Sequence, residues 1–155
     1  MKRLFTAVSV FVLVLLVSSV SSAQNDPRIG TWKLNVAKSH FSEGAAATAG
    51  TRTYTEANGV YTLDQKMTGA DGKEESGQAQ YQNGKEIKQA GGPVDATVAK
   101  KISARIWNFE LKKDGKVVGR VHRVVSADGK TLTVHNTGTR LGGASGDETL
   151  VFDKQ

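Results

Sequence analysis

The sequence predicts an all-β protein that folds as an antiparallel, up-and-down β-barrel of about 8–10 strands. Turn-forming dipeptides recur at nearly regular spacing along the chain, and the segments between them alternate apolar with polar side chains. No segment has the period of a long amphipathic helix. A meander of this many strands usually closes, because closure removes the exposed strand edges.

Tight turns divide the chain into short strands. Glycine adopts the positive φ that a two-residue hairpin requires, and an asparagine or aspartate before it tolerates the same conformation. Two further turns fit at Gly91-Gly92-Pro93 and Ser103-Ala104, and the small, nearly uncharged stretch Ser42 to Gly50 is predicted to be a long loop after the first strand. The hairpin dipeptides are Asn58-Gly59, Asp71-Gly72, Asn83-Gly84, Asp114-Gly115 and Asp128-Gly129.

Two of the segments between turns show most clearly the alternation of half-buried strands. Apolar side chains alternate with polar ones in residues 61–67, and residues 105–112 place Trp107, Phe109 and Leu111 on one face. One buried and one solvated face are typical of an antiparallel sheet. We therefore expect about nine strands, joined mostly by hairpins.

Residues 1–23 are predicted to be a secretory signal peptide. Met1-Lys2-Arg3 is basic, Leu4 to Val17 is almost continuously apolar, and Ser18 to Ala23 consists of small residues. The apolar run is shorter than the ~20 residues that span a bilayer, so an uncleaved anchor is disfavoured. We expect cleavage after Ala23 and export of a single barrel domain, residues 24–155, to the periplasm or the extracellular space, with no membrane span left.

The composition argues against several functions. Lys and Arg outnumber Asp and Glu by 21 to 15, but the basic residues are scattered among acidic ones and form no stripe with interleaved aromatics. A nucleic-acid-binding site needs clustered positive charge, so no nucleic-acid partner is predicted. The sequence contains no cysteine, which excludes a disulfide framework and thiolate chemistry.

Gly30-Thr31-Trp32, at the start of the first predicted strand, resembles the Gly-x-Trp signature of the lipocalins and the wider calycin superfamily. The surrounding sequences DPRIGTWKLNVAKSHF and SADGKTLTV are similar to a group of uncharacterised exported bacterial proteins with lipocalin-like barrels. The resemblance implies a lipocalin-like barrel in which Trp32 closes one end beneath the first strand and Gly30 permits a close approach of the chain. Lipocalins also carry an arginine near the last strand that packs over this tryptophan, and Arg140 and Arg123 are the nearest candidates.

The histidines flanking the Asp128-Gly129 turn were considered as metal ligands. A two-residue loop places His122 directly opposite His135, whereas a type I turn with a glycine bulge places His122 opposite Val134. The second register is favoured because it keeps the apolar side chains of the two strands on one face, and it leaves His122 as a possible inward residue. Neither strand offers an acidic third ligand for zinc, so no metal site is predicted.

No catalytic or cofactor motif is found. Ser39-His40 lacks the G-x-S-x-G context of a nucleophile, and Glu74-Glu75 within a strand point to opposite faces, so they cannot act as an acid–base pair. The glycine-rich stretch Gly138 to Gly146 lacks the Lys-Ser/Thr of a phosphate-binding loop. The sequence therefore predicts a protein that is not an enzyme and uses no cofactor.

The interior of the predicted barrel is the best candidate for a binding site. A barrel of about eight strands is either filled by its own side chains or holds one small ligand. Small inward-facing residues such as Gly77 and Ala79 leave room, and tyrosine hydroxyls supply polar anchors. A pocket and a packed core fit the sequence equally well. The predicted lining residues are Tyr61, Met67, Tyr81, Trp107 and Phe109.

Two functions follow from these observations. The favoured one is the non-catalytic binding of a small apolar or amphiphilic molecule inside the barrel. The alternative is a protein-binding barrel, such as an envelope inhibitor of a protease or lysozyme. In that case the loop Phe41 to Gly50 or the loop Gly138 to Gly146 is the recognition surface.

Overall fold

The computed structural model describes residues 26–42, 46–89, 92–141 and 144–155; the predicted signal peptide and its cleavage site lie outside these residues. Within them the chain forms ten strands and one short 3-10 turn at Val36–Lys38. The strands are β1 (Gly30–Leu34), β2 (Ala47–Ala57), β3 (Val60–Gly69), β4 (Glu74–Gln82), β5 (Glu86–Lys88), β6 (Ala96–Lys101), β7 (Ile106–Lys113), β8 (Lys116–Val125), β9 (Thr131–Gly138) and β10 (Glu148–Lys154).

The strands form an antiparallel meander that nearly closes into a barrel. Their spatial order is β4-β3-β2-β1-β10-β9-β8-β7-β6-β5, so the first and last strands pair with each other. β4 and β5 are the two free edges of the sheet. The Gly84 N–H, in the turn between them, donates to the carbonyl oxygen of Ala99 in β6 at 2.8 Å, and the side-chain amide of Gln89, just after β5, donates to the carbonyl oxygen of Gln80 in β4 at 3.1 Å. The predicted all-β, up-and-down barrel is confirmed, with a strand number at the top of the predicted range.

Two hairpins have the tight geometry that the sequence predicts. Asn58 and Asp114 adopt φ values of 53° and 49°, and the glycine after each is also positive, at 80° for Gly59 and 75° for Gly115. Two consecutive positive φ values define a type I′ turn, which matches the twist of the flanking strands. The predicted loop over residues 42–50 is too long, because its last residues join β2 and pair with the end of β3.

The register between β8 and β9 differs from the predicted one. His122 lies opposite His135, and Arg123 lies opposite Val134. The reason is a loop over residues 127–130, which is closed by the Ser126 N–H donating to the Thr131 carbonyl at 2.8 Å. The Asp128 carboxylate supports the loop by accepting hydrogen bonds from the Ser126 hydroxyl and the Lys130 N–H. The placement of His122 opposite Val134 was therefore wrong. As a result, Arg123 faces the interior and His122 is exposed on the outer face.

The inner face of the sheet encloses the core. Trp107, Phe109 and Leu111 of β7 are all buried, which confirms the predicted face of that strand. We call the end of the barrel that holds Gly30 the closed end, because Arg28 and Trp32 are buried there. No helix among the described residues is long and apolar enough to cross a bilayer.

Candidate functional site

Trp32 lies fully buried at the closed end. Its indole N–H donates to the carbonyl oxygen of Arg28 at 2.7 Å, and the Nζ of Lys154 lies 4.9 Å from the centre of its ring. Lys154 is the last residue of β10 and also donates to the carbonyl of Pro27 at 2.8 Å. The side chain over the tryptophan is therefore this lysine, whereas Arg123 and Arg140, the candidates named from the sequence, lie elsewhere in the barrel.

A buried ion pair lies beside Trp32. Arg28 donates from Nε and Nη2 to the two carboxylate oxygens of Asp26, at 2.9 and 2.6 Å. Burial raises the pKa of the Asp26 carboxyl, but the hydrogen bonds and charge of Arg28 outweigh burial and bring that pKa below its ordinary value. The guanidinium carbon lies 4.4 Å from the ring centre of Tyr61 and 3.9 Å from that of Trp107. Arg28 thus fills the space between these two rings.

Four of the five predicted lining residues form one aromatic cluster next to Arg28. Tyr61 and Tyr81 are stacked at 5.3 Å, and Tyr81 meets Phe109 edge-on at 5.0 Å. Trp107 packs against both tyrosines and Phe109. Burial raises the pKa of Tyr81 to about 12. These rings are packed against one another and against Arg28.

Met67, the fifth predicted lining residue, lies apart from the aromatic cluster. Met67 lies in β3 and is the cross-strand partner of Gly50 in β2 and of Glu75 in β4, towards the end of the barrel opposite the closed end. The structure therefore does not bring Met67 together with the four aromatic residues.

Two further arginines face the interior beyond the aromatic cluster. Arg52 and Arg123 are each only 6% exposed. The Nε of Arg52 donates to the amide oxygen of Gln65 at 2.8 Å, and its guanidinium carbon lies 4.7 Å from the ring centre of Phe152. The Arg123 guanidinium carbon lies 4.1 Å from the ring centre of Phe109. Among the described residues, neither arginine forms an ion pair.

Several buried polar atoms of the two arginines, and the hydroxyl of nearby Tyr54, have no hydrogen-bond partner among the described residues. Nη1 of Arg52, both Nε and Nη1 of Arg123 and the hydroxyl of Tyr54 are buried without a hydrogen bond to any described residue. Burial lowers the pKa of Arg52, and the charge of Arg123 lowers it further. Leaving a buried polar group unpaired costs ~1–3 kcal/mol, and more for a charged one. An anion that accepts these hydrogen bonds would remove that cost.

The other buried charges are already paired. Glu148 accepts a hydrogen bond from Asn136 at 2.7 Å and a second one from Arg140, which also contacts Ser42. The Arg28–Asp26 pair is likewise neutral overall. The interior described here therefore carries an excess of positive charge, and Arg52 and Arg123 are its source.

The inner face of β4 is exposed next to Gln65, the hydrogen-bond partner of Arg52. Gly77 is the cross-strand partner of Gln65, which in turn is the partner of Arg52. Glu75 and Gly77 are exposed although they lie on the inward side, and a side chain added at Gly77 would meet no atom within 4 Å. The interior next to Gln65 is therefore open to solvent along the free edge of β4.

Sequence reasoning did not place Arg52 inside the barrel, and it named Arg123 only as a candidate to pack over Trp32. For Arg52 a signal was present, because Tyr54 two residues later was expected to face inward and residues two apart share a face. For Arg123 the signal was ambiguous, because valines occupy both faces of β8 and the incorrect register placed the even-numbered residues inside.

Comparison with known proteins shows the fold. No protein-family model and no curated protein matches the sequence. Among solved structures, the wild-type fluorescent protein UnaG is 19% identical with a TM-score of 0.61, covering 82% of this chain and 96% of that one. The Schistosoma mansoni fatty acid binding protein in complex with arachidonic acid is 16% identical with a TM-score of 0.60, over 83% and 96%. What this chain shares with both structures is the fold, an antiparallel up-and-down β-barrel.

A third solved structure has the same fold. The zebrafish ileal bile acid-binding protein complexed with cholic acid is 13% identical with a TM-score of 0.54, over 83% of this chain and 99% of that one. These matches confirm the predicted barrel type. The predicted likeness to exported bacterial proteins is not among them and stays a prediction.

Proposed function

We propose that this chain is an exported, non-catalytic barrel that binds a small amphiphilic molecule by an anionic head group. The observation that carries the proposal is the buried pair Arg52 and Arg123, of which Nη1 of Arg52 and Nε and Nη1 of Arg123 lack partners among the described residues. The apolar leader with small residues before the predicted cleavage site supports export. Two proteins of similar fold are bound to arachidonic acid and to cholic acid, which supports a ligand of this class.

A carboxylate suits the arginine pair better than a neutral group does. Arginine donates two parallel hydrogen bonds to a carboxylate, and such charged bonds are about twice as strong as neutral ones. The neutral parts of the surroundings are the rings of Tyr54, Phe109 and Phe152, which offer apolar surface to the rest of the ligand. A cationic ligand is disfavoured because it adds to the positive charge.

The proposal contains no reaction step. The groups at the site are guanidinium donors, an amide, a phenol and aromatic rings, which hold a ligand but include no nucleophile activated by a base. The alternative of a protein-binding barrel finds no support, since residues 47–50 of one proposed recognition loop belong to β2.

The test compares two probes of equal chain length, dodecanoate and dodecanol, by titration calorimetry on the tag-free chain 24–155. We expect dodecanoate to bind ~10–100-fold more tightly, because hydrogen bonds to a charged group contribute ~1.5–3 kcal/mol. Arg123→Met should bring this ratio close to one. Arg120→Met is the matched control, because Arg120 lies on the same strand but is exposed on the outer face.

The proposal is wrong if both probes bind equally to the native chain, if neither binds, or if Arg120→Met reduces the ratio as much as Arg123→Met does. Native mass spectrometry of protein isolated from its own compartment gives an independent check. A co-purified molecule without an acidic group would also contradict the anionic head.

A further inference from the structure

The histidines of the chain lie along one line across the outer face of the barrel. His122 of β8 is the direct cross-strand partner of His135 of β9. His135 is in turn the partner of Thr149, and Thr149 pairs with His40. All three imidazoles are exposed. His122 and His135 are therefore one strand spacing apart, ~4.8 Å, whereas the β10 strand separates His40 from His135.

Both rings of the His122–His135 pair are held from the side by an oxygen atom. Nδ1 of His122 lies 2.6 Å from Oδ1 of Asn108, and Nδ1 of His135 lies 3.0 Å from Oγ1 of Thr149. A carbonyl oxygen can only accept, so in the neutral ring Nδ1 of His122 carries the proton and Nε2 keeps its lone pair. This is the arrangement of metal-binding histidines, whose other ring nitrogen is fixed by a hydrogen bond.

The surroundings of the pair select the kind of ion. The two histidines line a groove of about 490 Å³ on the outer face of β6 to β9. Lys100 and Arg120 line it as well, and Glu110 is the carboxylate among its lining residues. Ca²⁺ and Mg²⁺ bind mainly to carboxylate and carbonyl oxygens, which the two imidazoles do not supply. Imidazole nitrogens favour Zn²⁺, Cu²⁺ and Ni²⁺.

We propose that His122 and His135 together bind a transition-metal ion such as Ni²⁺ or Zn²⁺ through their Nε2 atoms, with water completing the coordination. No group of three or more His, Cys, Asp or Glu side chains placed to hold a metal occurs in the described parts of the chain. The site is thus a two-residue chelate across one strand pair. It lies on the face opposite to the interior arginines and is independent of the ligand proposed for them.

The experiment titrates Ni²⁺ into the tag-free chain 24–155 by calorimetry. We expect saturable binding that weakens at least ~10-fold in His122→Asn and in His135→Asn, since each variant removes one of two ligands. His40→Asn is the matched control, because this histidine is exposed in the same row but is displaced by one strand. It should leave the affinity unchanged. Asn108→Ala should weaken binding less than loss of either ligand.

A second measurement uses the native chain and so does not depend on the folding of a variant. Ni²⁺ is paramagnetic, and substoichiometric ion should broaden the imidazole resonances of His122 and His135 together and before that of His40. Absence of saturable binding would overturn the proposal. Equal broadening of all three histidines, or binding that persists in both His122→Asn and His135→Asn, would overturn it as well.

Discussion

Arg123 lies among the rings of Phe109, Tyr54 and Tyr81 with no carboxylate in contact among the described residues. The cation–π contacts stabilise the folded protein by ~1–2 kcal/mol. Removing a charge from water costs several kcal/mol even after the protein relaxes. In the absence of ligand, the side chain therefore costs more than it contributes. A residue that destabilises the free protein is best explained by what it binds.

Because burying the charge of Arg123 costs more than its cation–π contacts contribute, removing that charge should change the stability of the free protein. Arg123→Met keeps the length and most of the volume of the side chain but removes its charge, so the ligand-free protein should be unchanged or more stable by ~1–3 kcal/mol. Urea unfolding monitored by tryptophan fluorescence measures the change. Arg120→Met, on the exposed face of the same strand, should stay within ~0.5 kcal/mol. A loss of more than ~1 kcal/mol in Arg123→Met would show that its charge is compensated within the fold.

Tyr81 makes stability depend on alkaline pH. Its pKa is about 12 in the folded protein because of burial, against an ordinary value of 10.0. Because the folded state keeps the proton longer, the stabilisation is complete below about pH 10 and is lost as the pH rises towards about 12. The loss amounts to about 3 kcal/mol at most.

The comparison with Tyr81→Phe isolates this effect. The free energy of unfolding of the native chain should fall more steeply between about pH 10 and about pH 12 than that of the variant, which has no phenol to titrate. Lysines titrate in both proteins and cancel in the difference. Parallel pH profiles for the two proteins would contradict the raised pKa of Tyr81.

At the scale of the strand, two glycines in β8 and β4 should respond in opposite ways to the same substitution. A Cβ on Gly119 would lie 2.1 Å from the carbonyl oxygen of Thr139, which is backbone and cannot move aside cheaply, whereas a Cβ on Gly77 would meet no atom within 4 Å. Gly119→Ala should therefore destabilise the barrel by ~1–3 kcal/mol or more. Gly77→Ala should be neutral or stabilising by ~0.5–1 kcal/mol, because alanine loses less backbone entropy.

Urea midpoints of the two alanine variants test this pair directly. Similar midpoints would mean that the end of β9 yields to a side chain at Gly119, and that the close packing there is not needed for the fold.

The sequence could predict those elements for which a single sequence feature, such as apolar–polar alternation or a turn glycine, determines the local structure. β7 alternates without ambiguity, and the turns at Asn58-Gly59 and Asp114-Gly115 require glycine for a backbone reason. The register of β8 with β9 depends on how many residues the loop uses, and side-chain bonds from Ser126 and Asp128 decide that locally. β2 begins before the sequence suggests, because pairing with β3 outweighs the weak strand propensity of its alanines and glycine.

The candidate site was harder to predict than the fold for a physical reason. Unpaired charges are almost never fully buried, so the sequence pattern alone favours a solvated position for each arginine. The aromatic residues were correctly assigned to the interior, and four of them do meet. Arg52 and Arg123 are buried without an ion pair and contradict this rule, whereas Arg28 is buried in an ion pair with Asp26. The three-dimensional arrangement is therefore needed to reveal them.

For the molecule as a whole, the predicted processing cuts the chain shortly before the first residue that the structure describes. Cleavage after Ala23 leaves two residues, Gln24 and Asn25, before Asp26, whose carboxylate pairs with buried Arg28. We expect amino-terminal sequencing of the exported protein to begin at Gln24. A product that retains Met1 would contradict the signal peptide, and a product that begins after Arg28 would show that the Asp26–Arg28 pair is dispensable.

The pairing of β1 with β10 also sets the order in which the protein can fold. Trp32, near the start of the first strand, is covered by Lys154 of the last strand, so the closed end cannot form before almost the whole chain has been synthesised. Contacts between residues so far apart in sequence form slowly, because a long loop must close first. We expect the amino-terminal strand to be the part of a nascent chain that stays unfolded longest. Under the export proposed above, that delay would favour the extended state that passage through a translocation channel requires.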